Sequence, residues 1–371
     1  MKLWNTRLLA IILVVFVLIS VAGCSSKGAT EIETKEEIDE TAVETETEPE
    51  PDPIPTLPTN MNPLTGLECS EDLVGKRPIG VMFNNLKAAL PQVNLSKCDI
   101  IYEVLAEGGI LRFEGLILDY ANAGDLGSIR SARPYYISLA KAYDAIYVHA
   151  GGSDAAYSIL YGGGVDHLDG VKGNFYVNDE LLFWRDQNRL NSGYNLEHTM
   201  FATGSDIADG ISKKGFRTSL NQTDFTAFAF DPAFEGIGSG LSAVSITIPH
   251  SNYSISEFQY NADSGMYMHS QYGSAHIDGA TNQQIQTKNV FILFTQQSIA
   301  DSYGRRSITL VGEGQGYYLN GGEYVAITWK RANENEGFRY YTADGVELKV
   351  CQGTSFVSLV DSQTAASVTI S

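Results

Sequence analysis

The chain's 371 residues exceed what one typical core organises, so two globular domains are expected, and its formal charge of −19, with 44 acidic against 25 basic side chains, argues against a nucleic-acid-binding body. Residues 25–60 carry eleven Asp or Glu against Lys27 and Lys35, about half of that charge, so the acidity belongs to one segment and says little about partners. Of the four cysteines, Cys24 is assigned below; Cys69, Cys98 and Cys351 show no zinc spacing and read as three thiols, with a Cys69–Cys98 bridge as the alternative.

At the N-terminus Lys2 and Arg7 precede an unbroken apolar run, Leu8 to Ile19, and then Val21-Ala22-Gly23-Cys24. A charged start, a short apolar core and small residues ahead of a cysteine look like a bacterial lipoprotein signal: residues 1–23 are removed and Cys24 is acylated. An uncleaved anchor is the alternative, but the run is short of the roughly 20 residues a spanning helix needs. The implied location is the outer face of the cytoplasmic membrane, held in the bilayer through Cys24. Residues 24–60 then form an acidic tether closed by Pro49, Pro51, Pro53, Pro55 and Pro58, too poor in apolar groups to fold and extended by self-repulsion.

The first domain, residues 61–224, is expected to be α/β with a mixed sheet. Ile79 to Phe83 is an apolar strand, and Asp99 to Glu107 and Ile110 to Leu118 read as two strands joined by the two-residue turn Gly108-Gly109. That register pairs Glu107 with Ile110, Leu105 with Arg112 and Glu103 with Glu114, placing Glu103, Glu107, Arg112 and Glu114 on one face. Crowded carboxylates there could form one wall of a polar cleft with raised pKa values. The more ordinary reading is a solvated face, or mutual neutralisation with Arg130 and Arg133.

Those two arginines stand in the loop Gly127-Ser128-Ile129-Arg130-Ser131-Ala132-Arg133, which runs into a helix opened by Pro134 and ending near Tyr143. Ala145 to Val148 is the next strand, His149 its last position, and Gly151-Gly152-Ser153 the turn into a helix from Asp154 to Leu160. Unpaired N–H groups at two helix starts beside two guanidiniums suit a carboxylate or phosphate. His149 and Ser153, at the carboxyl end of a strand, are candidate contacts; a lone histidine there is more often simply hydrogen-bonded, and Ser153 more often a helix cap. Asp166-His167-Leu168-Asp169 reads as a turn rather than a cation site. Trp184 with Arg185 offers a stacking floor or, more ordinarily, core packing. Thr203 to Lys213 is a closing helix capped by Thr203. No Gly-x-Ser-x-Gly elbow or triad appears.

From residue 225 to 371 the period changes to two, with turn signals at Asp278-Gly279, Asn320-Gly321 and Asp344-Gly345, so an all-β sandwich or small barrel is expected. Tyr253, Tyr260, Tyr267 and Tyr272 could stack on sugars but fit half-buried packing better. Arg305-Arg306 reads as a solvated turn.

Pro63-Leu64-Thr65-Gly66, Glu107-Gly108-Gly109-Ile110-x-Arg112-Phe113, Arg130 to Tyr135, Val148 to Ser153 and Phe183-Trp184-Arg185-Asp186 together resemble the YerB family of bacterial lipoproteins, a domain of unknown function with its own C-terminal companion. The resemblance spans about residues 61–360. It implies an envelope lipoprotein of Gram-positive type and no established activity. It also implies a Pro-His-Asn string after Trp-Arg-Asp, where this chain has Gly193-Tyr194-Asn195, so any role of that histidine would fall to His198.

Weighed together, these features favour a tethered surface protein that binds an anionic envelope ligand, a wall-peptide carboxylate or a polymer phosphate, through Arg112, Arg130 and Arg133, or contacts a partner protein of the cell-wall machinery. The alternative is an envelope hydrolase with Glu103 or Glu107 as general acid or base and His149 as partner. A third option makes the arginines and glutamates an internal salt-bridge network. No cofactor, metal or nucleic acid is expected.

Overall fold

Short apolar runs with no helical period, such as Ile79–Phe83 and Ile100–Leu105, are buried at every position, as the inner strands of a sheet covered on both faces must be. The computed structural model describes residues 55–172 and 182–371; the signal sequence, Cys24 and nearly all of the tether lie outside the described residues.

The main sheet has ten strands in the order β20 (Arg339–Thr342), β19 (Glu323–Arg331), β18 (Gly312–Asn320), β15 (Asn289–Thr295), β22 (Ser355–Asp361), β2 (Ile100–Leu105), β3 (Leu111–Ile117), β1 (Ile79–Phe83), β5 (Ile146–His149) and β6 (His167–Asp169). Strands β15, β22, β2, β1, β5 and β6 point one way. A second sheet orders β13 (Ser274–Ala275), β12 (Met266–Gln271), β11 (Ile255–Asn261), β10 (Ser245–Pro249) and β23 (Thr369–Ile370), with β14 (Gln286–Thr287) on β12. Smaller pairings join β4 (Asp125–Gly127), β8 (Met200–Thr203) and β7 (Phe183–Arg185), β16 (Gln297–Ile299) with β17 (Arg306–Ile308), and β9 (Ala229–Phe230) with β21 (Lys349–Val350). Among the described residues the α-helices are α1 (Pro134–Ala142), α2 (Asp154–Tyr161), α3 (Gln187–Asn191) and α4 (Gly204–Lys213). A mixed sheet with few helices precedes a strand-rich C-terminal region, as the sequence patterns indicate.

Alternation along the strands divides the core. Tyr102, Val104, Met82, Tyr147 and Leu359 face α1 and α2, while Val81, Phe113, Val148, Phe356 and Val360 face the second sheet and α4. Strand β22 lies between β15 and β2, so the boundary expected at residues 224/225 divides the sequence without dividing the sheet. Arg331, 1 % exposed, adds a polar tie between the same two halves: its guanidinium donates to Ser138 Oγ at 2.9 Å and Ser138 O at 2.7 Å in α1.

The β2–β3 register corrects the sequence expectation. The connection is the three-residue turn Glu107–Gly109, with Gly108 and Gly109 both at positive φ, rather than Gly108-Gly109 alone. One extra turn residue slips the pairing by one: Tyr102 opposes Glu114, Glu103 opposes Phe113 and Val104 opposes Arg112. Glu103 therefore leaves the face that carries Arg112 and Glu114. Glu114, fully buried under α1, sits over Gly80, where an added Cβ would fall 2.7 Å from its Oε1.

Other expectations are adjusted in detail. Thr203 precedes α4 without capping it; its hydroxyl donates to Asp125 instead, at 2.7 Å. Trp184, expected in the core, is instead 36 % exposed and stacks on Phe201, centroids 5.2 Å apart. Cys69, Cys98 and Cys351 are free thiols, so the Cys69–Cys98 bridge is not formed.

Candidate functional site

The strand ends Phe83 and His149 lie side by side because β1 and β5 are parallel neighbours, and the loop 128–133 is stitched across them. Asn84 N donates to Ser128 O at 2.8 Å, Arg130 N to Met82 O at 2.8 Å, Ala150 N to Arg130 O at 2.9 Å and Ala132 N to Gly151 O at 2.8 Å. These backbone bonds, rather than side-chain packing, fix where Arg130 and Arg133 emerge. The extended φ and ψ of Arg133 then turn the chain into α1, whose first residue, Pro134, needs no hydrogen-bond partner for its nitrogen.

Arg112, at the start of β3, and Arg133 converge on one carboxylate. Glu107 Oε1 accepts from Arg112 Nη2 at 2.8 Å and from Arg133 Nη2, and Glu107 Oε2 accepts from Arg133 Nε at 3.1 Å. Arg112 also donates to Ser131 O at 3.2 Å. Arg130 reaches a different acid, Glu197, at 3.1 Å, and its buried Nε has no partner. Burial would raise the Glu107 pKa, but the bond from Arg133 and the charges of both arginines outweigh it and hold the carboxyl at about 2. Arg130 is also pushed down, from the usual guanidinium range, by burial and by the like charge of Arg112, which Glu197 only offsets in part. Three guanidiniums thus share two carboxylates, and one of those, Glu197, is half exposed.

His149 lies on the same face of the sheet, since it alternates with the inward Val148. Its Nδ1 is 2.8 Å from Gly151 O and therefore carries a proton; its Nε2 lies 3.0 Å from His167 Nδ1, and one of those two nitrogens donates to the other. Burial, and then the neighbouring His149, lower the His167 pKa to about 4, so that ring is neutral at neutral pH. Asp169 accepts from Gly151 N and Tyr157 Oη, both at 2.8 Å. Burial opposes its ionisation; His149, the N–H groups of Gly151 and Val171, and Tyr157 outweigh that and lower its pKa. Ser153 has the ordinary role foreseen for it: its Oγ caps α2 by accepting from Ala156 N at 3.2 Å, and it is 3 % exposed.

Of the residues singled out in the sequence, Arg112, Arg130, Arg133, Glu107 and His149 share one face and one end of the sheet. Glu103 does not join them. Fully buried against the second sheet, it accepts from Ser358 Oγ at 2.8 Å and lies 3.0 Å from His250 Nε2. The acid–base pairing of Glu103 with His149 is therefore broken by the sheet itself, and Glu107, kept ionised between two arginines, has no proton to donate as a general acid. Sequence reasoning missed Glu197 as the partner of Arg130 and Ser358 and His250 as the partners of Glu103; the last two lie 255 and 147 residues away, with no local signal. His198, buried, has its Nδ1 2.9 Å from Asn84 Nδ2 and its Nε2 3.6 Å from Glu197, the acid that Arg130 meets. Among the described residues no set of three His, Cys, Asp or Glu side chains is placed to hold a metal.

Comparison with known proteins agrees with this architecture. Residues 64–217 match the family described as "Protein of unknown function (DUF3048) N-terminal domain", and residues 244–357 match the corresponding C-terminal domain. A protein of Bacillus subtilis (strain 168) named "Putative lipoprotein YerB" is 30 % identical over 309 residues, covering 82 % of this chain and 88 % of that protein. The crystal structure of YerB from Bacillus subtilis superposes with a TM-score of 0.70 at 26 % identity, over 84 % of this chain and 99 % of that one.

Proposed function

The chain belongs to the YerB family, and from that premise we propose that it is a lipid-anchored extracytoplasmic protein that binds an anionic group of the cell envelope at Arg130, Arg133 and Arg112. The observation that carries this reading is the charge imbalance: three guanidiniums and two carboxylates leave one positive charge that a phosphate or carboxylate would complete. Arg130 is the accessible member; Arg112 and Arg133 are 6 % and 7 % exposed and work as the fixed positive background. Cys24 would carry the lipid, and the acidic tether, repelled by anionic headgroups, would hold the body off the bilayer.

The test is binding of poly(glycerol phosphate) and of a wall peptide ending in a free carboxylate, at low and high salt, by the native chain and by Arg130→Gln. The expected result is salt-dependent binding of one of the two that weakens about tenfold, or about 1.4 kcal/mol, in the variant. Binding that ignores both salt and the substitution would overturn the assignment.

A further inference from the structure

At the far end of α1 from the arginine cluster, roughly 14 Å along the helix for its nine residues, a cavity of about 510 Å³ opens where α1 ends and β5 begins. Its size lies inside the ~300–1,000 Å³ of small-ligand sites. Each ionic side chain lining it has a partner: Glu336 accepts from Asn333 Nδ2 at 2.5 Å, Arg339 lies 3.8 Å from Glu347, and the others pair at closer range. Arg77 donates to Asp166 at 2.5 Å and to Asp144 O at 2.6 Å, Arg217 clasps Asp144 at 2.6 and 2.8 Å, and Lys141 meets Glu334 at 3.1 Å.

What remains uncommitted is neutral. The side-chain amides of Asn221, Gln222 and Asn335 line the cavity and make no hydrogen bond to another described residue. Between them lies Phe225, half-buried, in a T-shaped contact with Tyr143 at 6.0 Å. Gly337 lies against one edge of the ring, where an added Cβ would sit 3.5 Å from it in ordinary contact. A phenyl surface suits the C–H face of a pyranose, and an amide offers a donor and an acceptor together, which is what a pair of neighbouring hydroxyls requires. An extended peptide would instead seek a strand edge. The nearby edge strand β20 is already covered by its own chain, Thr342 N donating to Val346 O at 2.9 Å and Leu348 N to Tyr340 O at 2.8 Å.

We infer that this cavity binds a neutral saccharide, with a sugar ring on Phe225 and its hydroxyls on the amides of Asn221, Gln222 and Asn335. The site is separate from the arginine cluster and does not depend on it.

The experiment is calorimetry or saturation-transfer NMR on the full chain in detergent, with maltotriose and chitotriose as neutral probes, trigalacturonate as the anionic one and trialanine as the peptide. The expected outcome is millimolar or tighter binding of a neutral trisaccharide that is indifferent to salt and to saturating poly(glycerol phosphate). It should fall about tenfold in Phe225→Ala and in the surface pair Asn221→Ala with Gln222→Ala, which perturbs no core contact. Absence of neutral-sugar binding, preference for the anionic or peptide probe, or affinity unchanged in the amide pair would each overturn the inference. Failure of the arginine site alone would leave the saccharide result standing.

Discussion

Replacing Glu114 by Gln should make the protein's stability less sensitive to rising pH. Glu114 is fully buried beneath α1, neither carboxylate oxygen has a partner, and burial drives its pKa far above the usual carboxylate range, opposed only by the distant charge of Arg331. The folded protein therefore holds this side chain as the neutral acid, while the unfolded chain releases the proton near the ordinary value of about 4.3. Because the folded pKa is the raised one, the stabilising contribution is complete below the unfolded value and is lost as pH climbs toward the folded one. While pH lies between the two, the loss is about 1.4 kcal/mol per pH unit. Other groups titrate in the same range: Asp99, raised to about 6 by burial, has the same sign, and His276, lowered to about 3 by burial, has the opposite one. Both are common to native and variant proteins, so the difference between the two curves isolates Glu114. Gln keeps the shape and the unpaired polar atoms but has no proton to lose, so its constant cost cancels from the slope. Urea unfolding of both proteins at intervals from pH 5 upward should show the variant gaining on the native chain as pH rises, by at most about 1.4 kcal/mol for each unit. Parallel stability curves would mean that the folded protein carries Glu114 ionised, and the account of it would be wrong.

Glu107→Gln should cost roughly 3–5 kcal/mol in unfolding experiments at neutral pH, because two nearly buried guanidiniums lose their shared carboxylate. In the native chain the same group, lowered to about 2, gives stability that is present above its unfolded pKa and lost as pH falls toward 2, readable as an acid limb absent from the variant. His276→Gln should flatten stability between pH 6.5 and 4: the ring is neutral in the fold, so its contribution is complete above the unfolded histidine value of about 6.5 and is lost as pH falls toward 3. Ser153→Ala should cost about 1 kcal/mol by thermal unfolding through the lost α2 cap and leave anion binding untouched; a binding defect would return Ser153 to the ligand site.

Local signals in the sequence located local structure. Pro134 marks the start of α1, Ser153 caps α2, and a strand lies between them, because a proline ring and a capping hydroxyl act within one turn of where they stand. The Gly-Gly turn at residues 321 and 322 closes the β18–β19 hairpin close to the Asn320-Gly321 signal. The register of β2 on β3 was not legible, since strands buried on both faces alternate nothing visible between inside and outside, and one more residue in the turn reverses every assignment. Arg112, Arg130 and Arg133 could be grouped from the sequence, but which acid each meets depends on chain separations of 5, 67 and 26 residues, and only the first is local. The partners of Glu103 were hidden for the same reason: the second sheet that brings His250 to it comes from the far side of the expected boundary.

Strand β22, residues 355–361, occupies the middle of the sheet although it is the last of the ten strands in chain order. Until it arrives, β2 and β15 each present an unpaired backbone edge, the kind of surface on which half-made chains cling to one another. A truncated product that stops before residue 355 would therefore be missing a central stave rather than a dispensable tail. The sheet cannot set until the chain has been made through residue 361.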